Sequence, residues 1–372
     1  MCGRRRHGYG QGGGVRRWRH QDFGCWRVGL VASMPRVDCP ECGVVVARVP
    51  WAEPGNRFTR DFEAECAWLM GVANRKTVSG FLHVAWRAAG DIARRVADRL
   101  RTAMPSPFDG LTAIGVDGTS HRKGHTYITV VVGHERHRVV WAHDGYGGDV
   151  FDLFFRRLAE ERKASIRVVA GDGARWIDSC VAAHCPNAER VLDGFHIVSW
   201  MTGALDQVRR RLWNQARRAG NEEVTKRMRG VKHAVLKNPD DPTDRQNDAL
   251  GAIRNTDPKG RLYRAWQLKE LLRTLLRHPL DQARGELDHW VFRASRSRIP
   301  EIVELSEKIR RRRPDILRTI RPGYPNARLE ASDNRIKAAI RMAYGFHHVD
   351  NLIALTMLRC GGLDMHLPQP AI

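Results

Sequence analysis

The sequence predicts an α/β protein: a mixed sheet with a large helical insertion, preceded by a small zinc-ribbon-like β segment and a helix-turn-helix. Three observations lead there. Three strand-like runs with short links follow one another between residues 111 and 142, and two further runs alternate with helical patterns up to residue 193. From 199 to 324 the apolar spacing is that of helices. Hydrophobic residues make up 42% and charged residues 28% of the 372, which excludes a disordered chain. No apolar run reaches the roughly 18 residues that span a bilayer, and residues 1–30 lack the apolar core and cleavage site of a signal peptide. The expected location is the cytoplasm.

The charge gives the first functional signal. Lys and Arg total 63 against 41 Asp and Glu, a net charge of +22 at pH 7, which calls for a polyanionic partner such as nucleic acid. Arg outnumbers Lys about five to one, and its planar fork suits phosphate. A ribosomal or membrane-surface protein would share this charge, so the placement of the acidic residues decides.

Residues 1–14 are rich in Gly and Arg and read as a disordered basic leader. Over 15–57, apolar and polar residues alternate (Trp26, Val28, Leu30; then Val44, Val46), the pattern of a small β-ribbon. It carries Cys39 and Cys42, whose C-x2-C spacing is half of a Zn²⁺ site; a zinc-free cysteine turn has the same spacing. Cys66, Cys180, Cys185 and Cys360 sit in apolar surroundings and read as buried small hydrophobes. Residues 58–104 follow a helix, turn, helix pattern, with Arg87, Arg94 and Arg95 on the expected recognition helix as DNA contacts. A short helical hairpin with a solvated Arg face is the plainer alternative.

After a hinge at Pro105 and Pro107, residues 108–198 form the first part of the expected core, 199–325 a basic helical insertion, and 326–364 the core's C-terminal helix. The first strand ends at Asp117. An amphipathic helix is expected over 150–162, a strand over 166–170 that runs into Asp172, a helix over 175–184, and a strand over 188–192 that ends at Asp193. This order is the ribonuclease H-like plan, in which the first and fourth strands lie side by side. Asp117 and Asp172 then meet where the strand order switches, the place where open α/β sheets put ligands. On the last helix Leu329, Ile336, Ile340 and Ala343 share one face, and Glu330, Asn334, Lys337 and Arg341 another.

Asp117, Asp172 and Glu330 are three hard-oxygen ligands drawn from distant segments, as two Mg²⁺ (or Mn²⁺) ions require to clamp the attacking and leaving oxygens of a phosphodiester. Beside such a site Asn334, Lys337 and Arg341 would contact phosphate, and Asp193 with His196 would orient a ligand or hold phosphate. Arg122 and Lys123, in the hairpin after Asp117, are DNA contacts or an ordinary solvated turn.

Ile114-Gly-Val-Asp117 with Arg122 to Tyr127, Asp172-Gly-Ala-Arg-Trp176, Asp193-Gly-Phe-His196, and Arg328-Leu-Glu330 through Asn334, Lys337 and Phe346 resemble motifs of the DDE transposases of the ISL-three insertion-sequence family. The resemblance covers most of the chain. It implies a zinc ribbon, a helix-turn-helix for terminal inverted repeats, and a catalytic domain interrupted by a helical insertion. It also implies metal-dependent cleavage and strand transfer by Asp117, Asp172 and Glu330 on double-stranded DNA, both the inverted repeats and the target, by a homo-oligomer at the bacterial nucleoid. Three positions depart from the family pattern: Gly118 stands where an acid is common, Gly173-Ala174 replaces an apolar-small pair, and only Cys2-Gly3 occupies the place of a further knuckle. The N-terminus therefore reads as shortened. A transposase-derived DNA-binding protein or repressor without cleavage is the competing expectation.

Overall fold

The computed structural model describes residues 4, 6–10, 12, 14–122, 124, 126–236, 244–256, 259–321, 338 and 348–369. The chain begins with two hairpins, β1 (Val15–Arg19) with β2 (Gly29–Ser33) and β3 (Arg36–Cys39) with β4 (Gly43–Val46), followed by helices α1 (Arg60–Val72), α2 (Arg75–Phe81) and α3 (Trp86–Ala103). Next come β5 (Ala113–Arg122), β6 (Thr126–Gly133), β7 (Arg138–Asp144), α4 (Gly148–Phe155), α5 (Glu160–Ser165), β8 (Val168–Gly171), α6 (Arg175–His184) and β9 (Glu189–Leu192). Eight helices follow: α7 (Gly194–Arg218), α8 (Glu222–Gly230), α9 (Lys232–Leu236), α10 (Asp244–Thr256), α11 (Arg261–Leu275), α12 (Leu280–Ser295), α13 (Pro300–Arg311) and α14 (Arg313–Ile320). The last described element is α15 (Val349–Cys360).

Strands β5 to β9 form one mixed sheet in the order β7-β6-β5-β8-β9. The β6/β7 pair is antiparallel, whereas β5/β8 and β8/β9 are parallel. The side-by-side placement of β5 and β8 is the one expected from the strand order.

The chain divides into two compact units, Met1–Gly110 with Gly118–Phe154 and Ser332–Ile372, and Leu111–Asp117 with Phe155–Ala331. In the first, the ribbon packs Trp18, Met34 and Ala52 into a small core, with Trp51 edge-on to Trp18 at 5.6 Å. Thr59 caps α1 by accepting the Phe62 N–H at 3.2 Å, and Asn74 caps α2 through the Thr77 N–H at 3.0 Å. One stripe of α3, from Trp86 through Ile92 to Val96, is buried, and α15 packs on α3 and β7. In the second unit, α7 and α11 to α14 enclose an aliphatic core that includes Leu205, Leu268, Leu272, Leu287 and Ile302. There the indole N–H of the buried Trp290 donates to the Leu268 carbonyl at 2.8 Å.

Four expectations change. The leader is not wholly unpaired: Gly8 bridges Val37, and the Tyr9 N–H donates to Arg36 O at 2.7 Å, because the edge of β3 offers it open backbone partners. The helix expected over 150–162 is two helices. The chain turns after Phe155, where the N–H of the buried Leu158 donates to Phe155 O at 3.0 Å, and α5 starts afresh with Glu160 and Glu161 in its first turn. The first strand does not stop at Asp117 but continues to Arg122. The boundary drawn at 199 falls inside α7.

Candidate active site and DNA interface

In the second unit, three neighbouring acids follow from sheet register. The last parallel rungs pair Val116 with Gly171 and Gly171 with Leu192. Asp117, Asp172 and Asp193 are therefore the next residues on three adjacent strands, whose spacing is about 4.8 Å. Asp117 ends the parallel half of β5 although the strand itself goes on.

Backbone contacts fix this edge. The Asp193 N–H donates to Gly171 O at 3.1 Å; Asp193 is 3% exposed and precedes α7, whose His196 lies with Nε2 3.9 Å from its Oδ2. Asp172 Oδ1 accepts the Ala174 N–H at 2.9 Å, which starts α6. Among the described residues no Lys or Arg nitrogen comes within 4.0 Å of the Asp172 carboxylate.

Positive charge surrounds this acid without binding it. Arg190, buried on β9, donates through Nη1 to Val169 O at 3.2 Å, through Nη2 to Asp172 O, and through Nε to Asp178 Oδ1 at 3.1 Å. Burial pulls its pKa down, opposed by Asp178. Arg312 donates to Gly173 O at 2.9 Å and to Asp178 and Asp315. Burial works against its charge, but those two carboxylates outweigh it and hold its pKa above the usual value. Neither arginine appeared as a site residue on sequence grounds.

A second missed pair lies beside the same turn. Lys308 on α13 places Nζ 3.7 Å from the ring centroid of Trp200 on α7. A β-carbon at Gly173 would come to 2.5 Å from Cζ2 of Trp200, so glycine there admits the indole. The only local signal for Lys308 was a lysine at the head of an arginine run.

The donor chemistry suits Mg²⁺ or Mn²⁺: carboxylate oxygens at a strand edge, one of them with no described cation against it. Glu330, Asn334, Lys337 and Arg341 lie outside the described residues, as does Lys123 and the side chain of Arg122. Among the described residues no group of three or more His, Cys, Asp or Glu is arranged to hold a metal.

In the first unit, α2 and α3 are joined by Leu82 to Ala85, with His83 in the left-handed region at φ 50°. Arg87 and Arg94 are exposed on α3. Arg95 is also exposed, and it donates through Nε and Nη2 to Oε1 of Glu63 at 2.8 and 2.7 Å, joined by Arg99 at 3.4 Å. A groove between α2 and α3 is lined by Asn74, Arg75, Lys76, Ser79, Val84 and Trp86. Cys39 and Cys42 flank the tight β3–β4 turn: the Cys42 N–H donates to Cys39 O at 3.2 Å, and Gly43 takes φ +68°. Two thiols across such a turn fit half of a tetrahedral zinc site; Cys2 lies outside the described residues. Cys66, Cys180, Cys185 and Cys360 are buried, and burial pushes the Cys66 thiol up to about 12 and Cys185 to about 11, which removes both as thiolates at neutral pH.

Comparison with known proteins agrees with these elements. Residues 114–356 match a family model described as transposase, 47–97 match the helix-turn-helix domain of transposase family ISL3, and 1–42 match the zinc-finger of transposase IS204/IS1001/IS1096/IS1165. The chain is 39% identical to the transposase for insertion sequence element IS1557 from two strains of Mycobacterium tuberculosis, over 99% of this chain and 86% of theirs. It is 26% identical to the transposase for insertion sequence element IS1001 of Bordetella parapertussis, over 89% and 81%.

Proposed function

The chain belongs to the ISL3 family of DDE transposases, and on that premise we propose that it binds the terminal inverted repeats of an insertion sequence, cuts the 3′ ends and joins them to target DNA. The observation that carries this reading is the parallel register that sets Asp117 and Asp172 one rung beyond the paired ends of adjacent strands. Read as a ribonuclease H-like sheet, that edge would become a catalytic centre when Glu330 joins it. Two Mg²⁺ or Mn²⁺ ions, when bound, supply Lewis acidity at the phosphodiester and a nucleophile at neutral pH.

The chain's own residues do the rest. Asp117, Asp172 and Glu330 would hold the cations, while Arg190 keeps the Asp172 backbone fixed through its carbonyl bonds. Asp193 and His196 orient the neighbouring ligand, and Asn334, Lys337 and Arg341 hold the phosphates of the cut strand. Water attacks the phosphorus at the element's end; the P–O bond to the element's 3′ oxygen breaks and that oxygen leaves as a hydroxyl. That hydroxyl then attacks a target phosphodiester and displaces the target's own 3′ oxygen.

Arg87 and Arg94, with Arg122 and Lys123, supply contacts to duplex DNA, and zinc at Cys39 and Cys42 rigidifies the ribbon. The working form is a homo-oligomer on paired ends, in the bacterial cytoplasm at the nucleoid. No described helix is long and apolar enough to cross a membrane.

The test is purified protein with Mg²⁺ on a duplex bearing the element's end. Wild type should nick at the 3′ end, and Asp172→Ala should bind but not cut. Binding without cleavage by wild type would make this chain a DNA-binding repressor instead, and equal cleavage by both would remove Asp172 from the chemistry.

A further inference from the structure

The geometry points to Lys308 as a phosphate-binding residue beside the Asp172 turn: its ammonium, seated on the Trp200 ring, takes a backbone phosphate of the DNA strand that enters the site. The inference deepens the transposase reading and rests on it.

The argument begins with what holds the ammonium. Lys308 is half-buried, and its Nζ stands 3.7 Å from the Trp200 centroid, close enough for a strong cation–π contact. Trp200 in turn leaves room for no side chain at residue 173, directly after Asp172. The lysine, the indole and the Asp172–Gly173 turn are thus one packed layer. Among the described residues no carboxylate lies within 4.0 Å of Nζ. Burial holds its pKa below the usual lysine value and Arg312 adds to this, whereas Asp172 is the carboxylate whose charge draws it back; Arg311 adds further repulsion.

The neighbouring cations are otherwise engaged. Arg312 is occupied by Gly173 O, Asp178 and Asp315, and Arg190 by backbone carbonyls and Asp178. Lys308 is the cation of this layer that has an aromatic seat and no bound acceptor. Arg312 and Arg311 leave Lys308 in a cationic surround that Asp172 only partly offsets, short of one compensating anion. A phosphodiester oxygen supplies that anion. Three donors on a flexible stem suit a point contact with phosphate, and the indole limits where the ammonium can go.

The test compares Lys308→Gln, which loses the charge, with Lys308→Arg, which keeps it, so that a loss of packing common to both cancels in the difference. The first measurement is the salt dependence of affinity for end-bearing duplex in EDTA, without metal. Lys308→Gln should lower the slope of log K against log salt by about 0.9 relative to Lys308→Arg, one phosphate's worth of released counterion. The second is single-turnover cleavage with Mg²⁺ at saturating protein, where Lys308→Gln should fall at least tenfold below Lys308→Arg. If the two variants share one slope, the assignment is wrong, whatever wild type does with Mg²⁺. If wild type binds and fails to cut while the slopes differ, the transposase reading fails and the phosphate site stands. Where wild type does cut, a slope difference without a cleavage difference between the two variants would also overturn it, since the contact would then lie away from the reacting strand.

Discussion

Glu63 in the first unit and Asp172 in the second are both acids among arginines, and the arginines treat them oppositely. Glu63 is 1% exposed, and Arg95 and Arg99 bond its oxygens directly. Around Asp172, Arg190 and Arg312 bond the backbone carbonyls of residues 172 and 173 and share Asp178, leaving the acid's own carboxylate to one backbone N–H. A carboxylate neutralised by its own chain is a packing device. One that is held in place by its main chain, with the compensating charge directed elsewhere, is ready for an external cation.

Exchanging the two acids' roles by mutation is the sharpest way to break that contrast. Asp172→Ala should lower cleavage at least about a thousandfold, the scale of several kcal/mol lost at the transition state, with little change in denaturant midpoint. Glu63→Ala should do the reverse, costing about 2 kcal/mol of stability after allowance for its partly exposed partners, with the cleavage rate per folded molecule unchanged. If both variants lose stability equally and neither loses chemistry, the contrast is false. Arg190→Met comes next: it strands buried carbonyls and Asp178, so it should cost about 3 kcal/mol in urea unfolding and raise the Mg²⁺ concentration needed for cleavage. An unchanged Mg²⁺ requirement would reduce Arg190 to packing alone.

Smaller effects separate the arginines of α3. Arg94→Ala should weaken DNA binding about equally across sequences and reduce the salt slope by roughly one, while Arg95→Ala should lower the melting temperature and leave that slope alone. The reverse pattern would move Arg95 from its Glu63 contact to the DNA. Last, Gly173→Ala should cost about 1 kcal/mol by crowding Trp200, and Trp200→Leu in the same molecule should recover part of it, as thermal melts would show.

The sequence was most legible where local chemistry decides. α6 spans the residues its apolar spacing predicted, β8 and β9 fall within two residues of theirs, and Asp172 and Asp193 directly follow the two strands. Asp117 was placed correctly beside Asp172 for a partly wrong reason: β5 does not end there, because the parallel partner stops while the strand continues beside β6. Arg95 stood next to Arg94 on the same helix and read as its equal; only the folded chain brings Glu63 to it. Lys308 had only its place at the head of an arginine run, and Trp200 had no signature. Each belongs to an ordinary amphipathic helix, and what singles them out is a contact between residues more than a hundred positions apart, which no period of 2 or 3.6 encodes.

The missing β-carbon at residue 173 reaches further than one turn. Since the Trp200 ring fills the space that any side chain there would need, positions 173 and 200 are not independent letters of this sequence. A descendant that acquires a larger residue after Asp172 must first trim the tryptophan, and in doing so it gives up the seat of the lysine. Substitutions at these three places should therefore be inherited together.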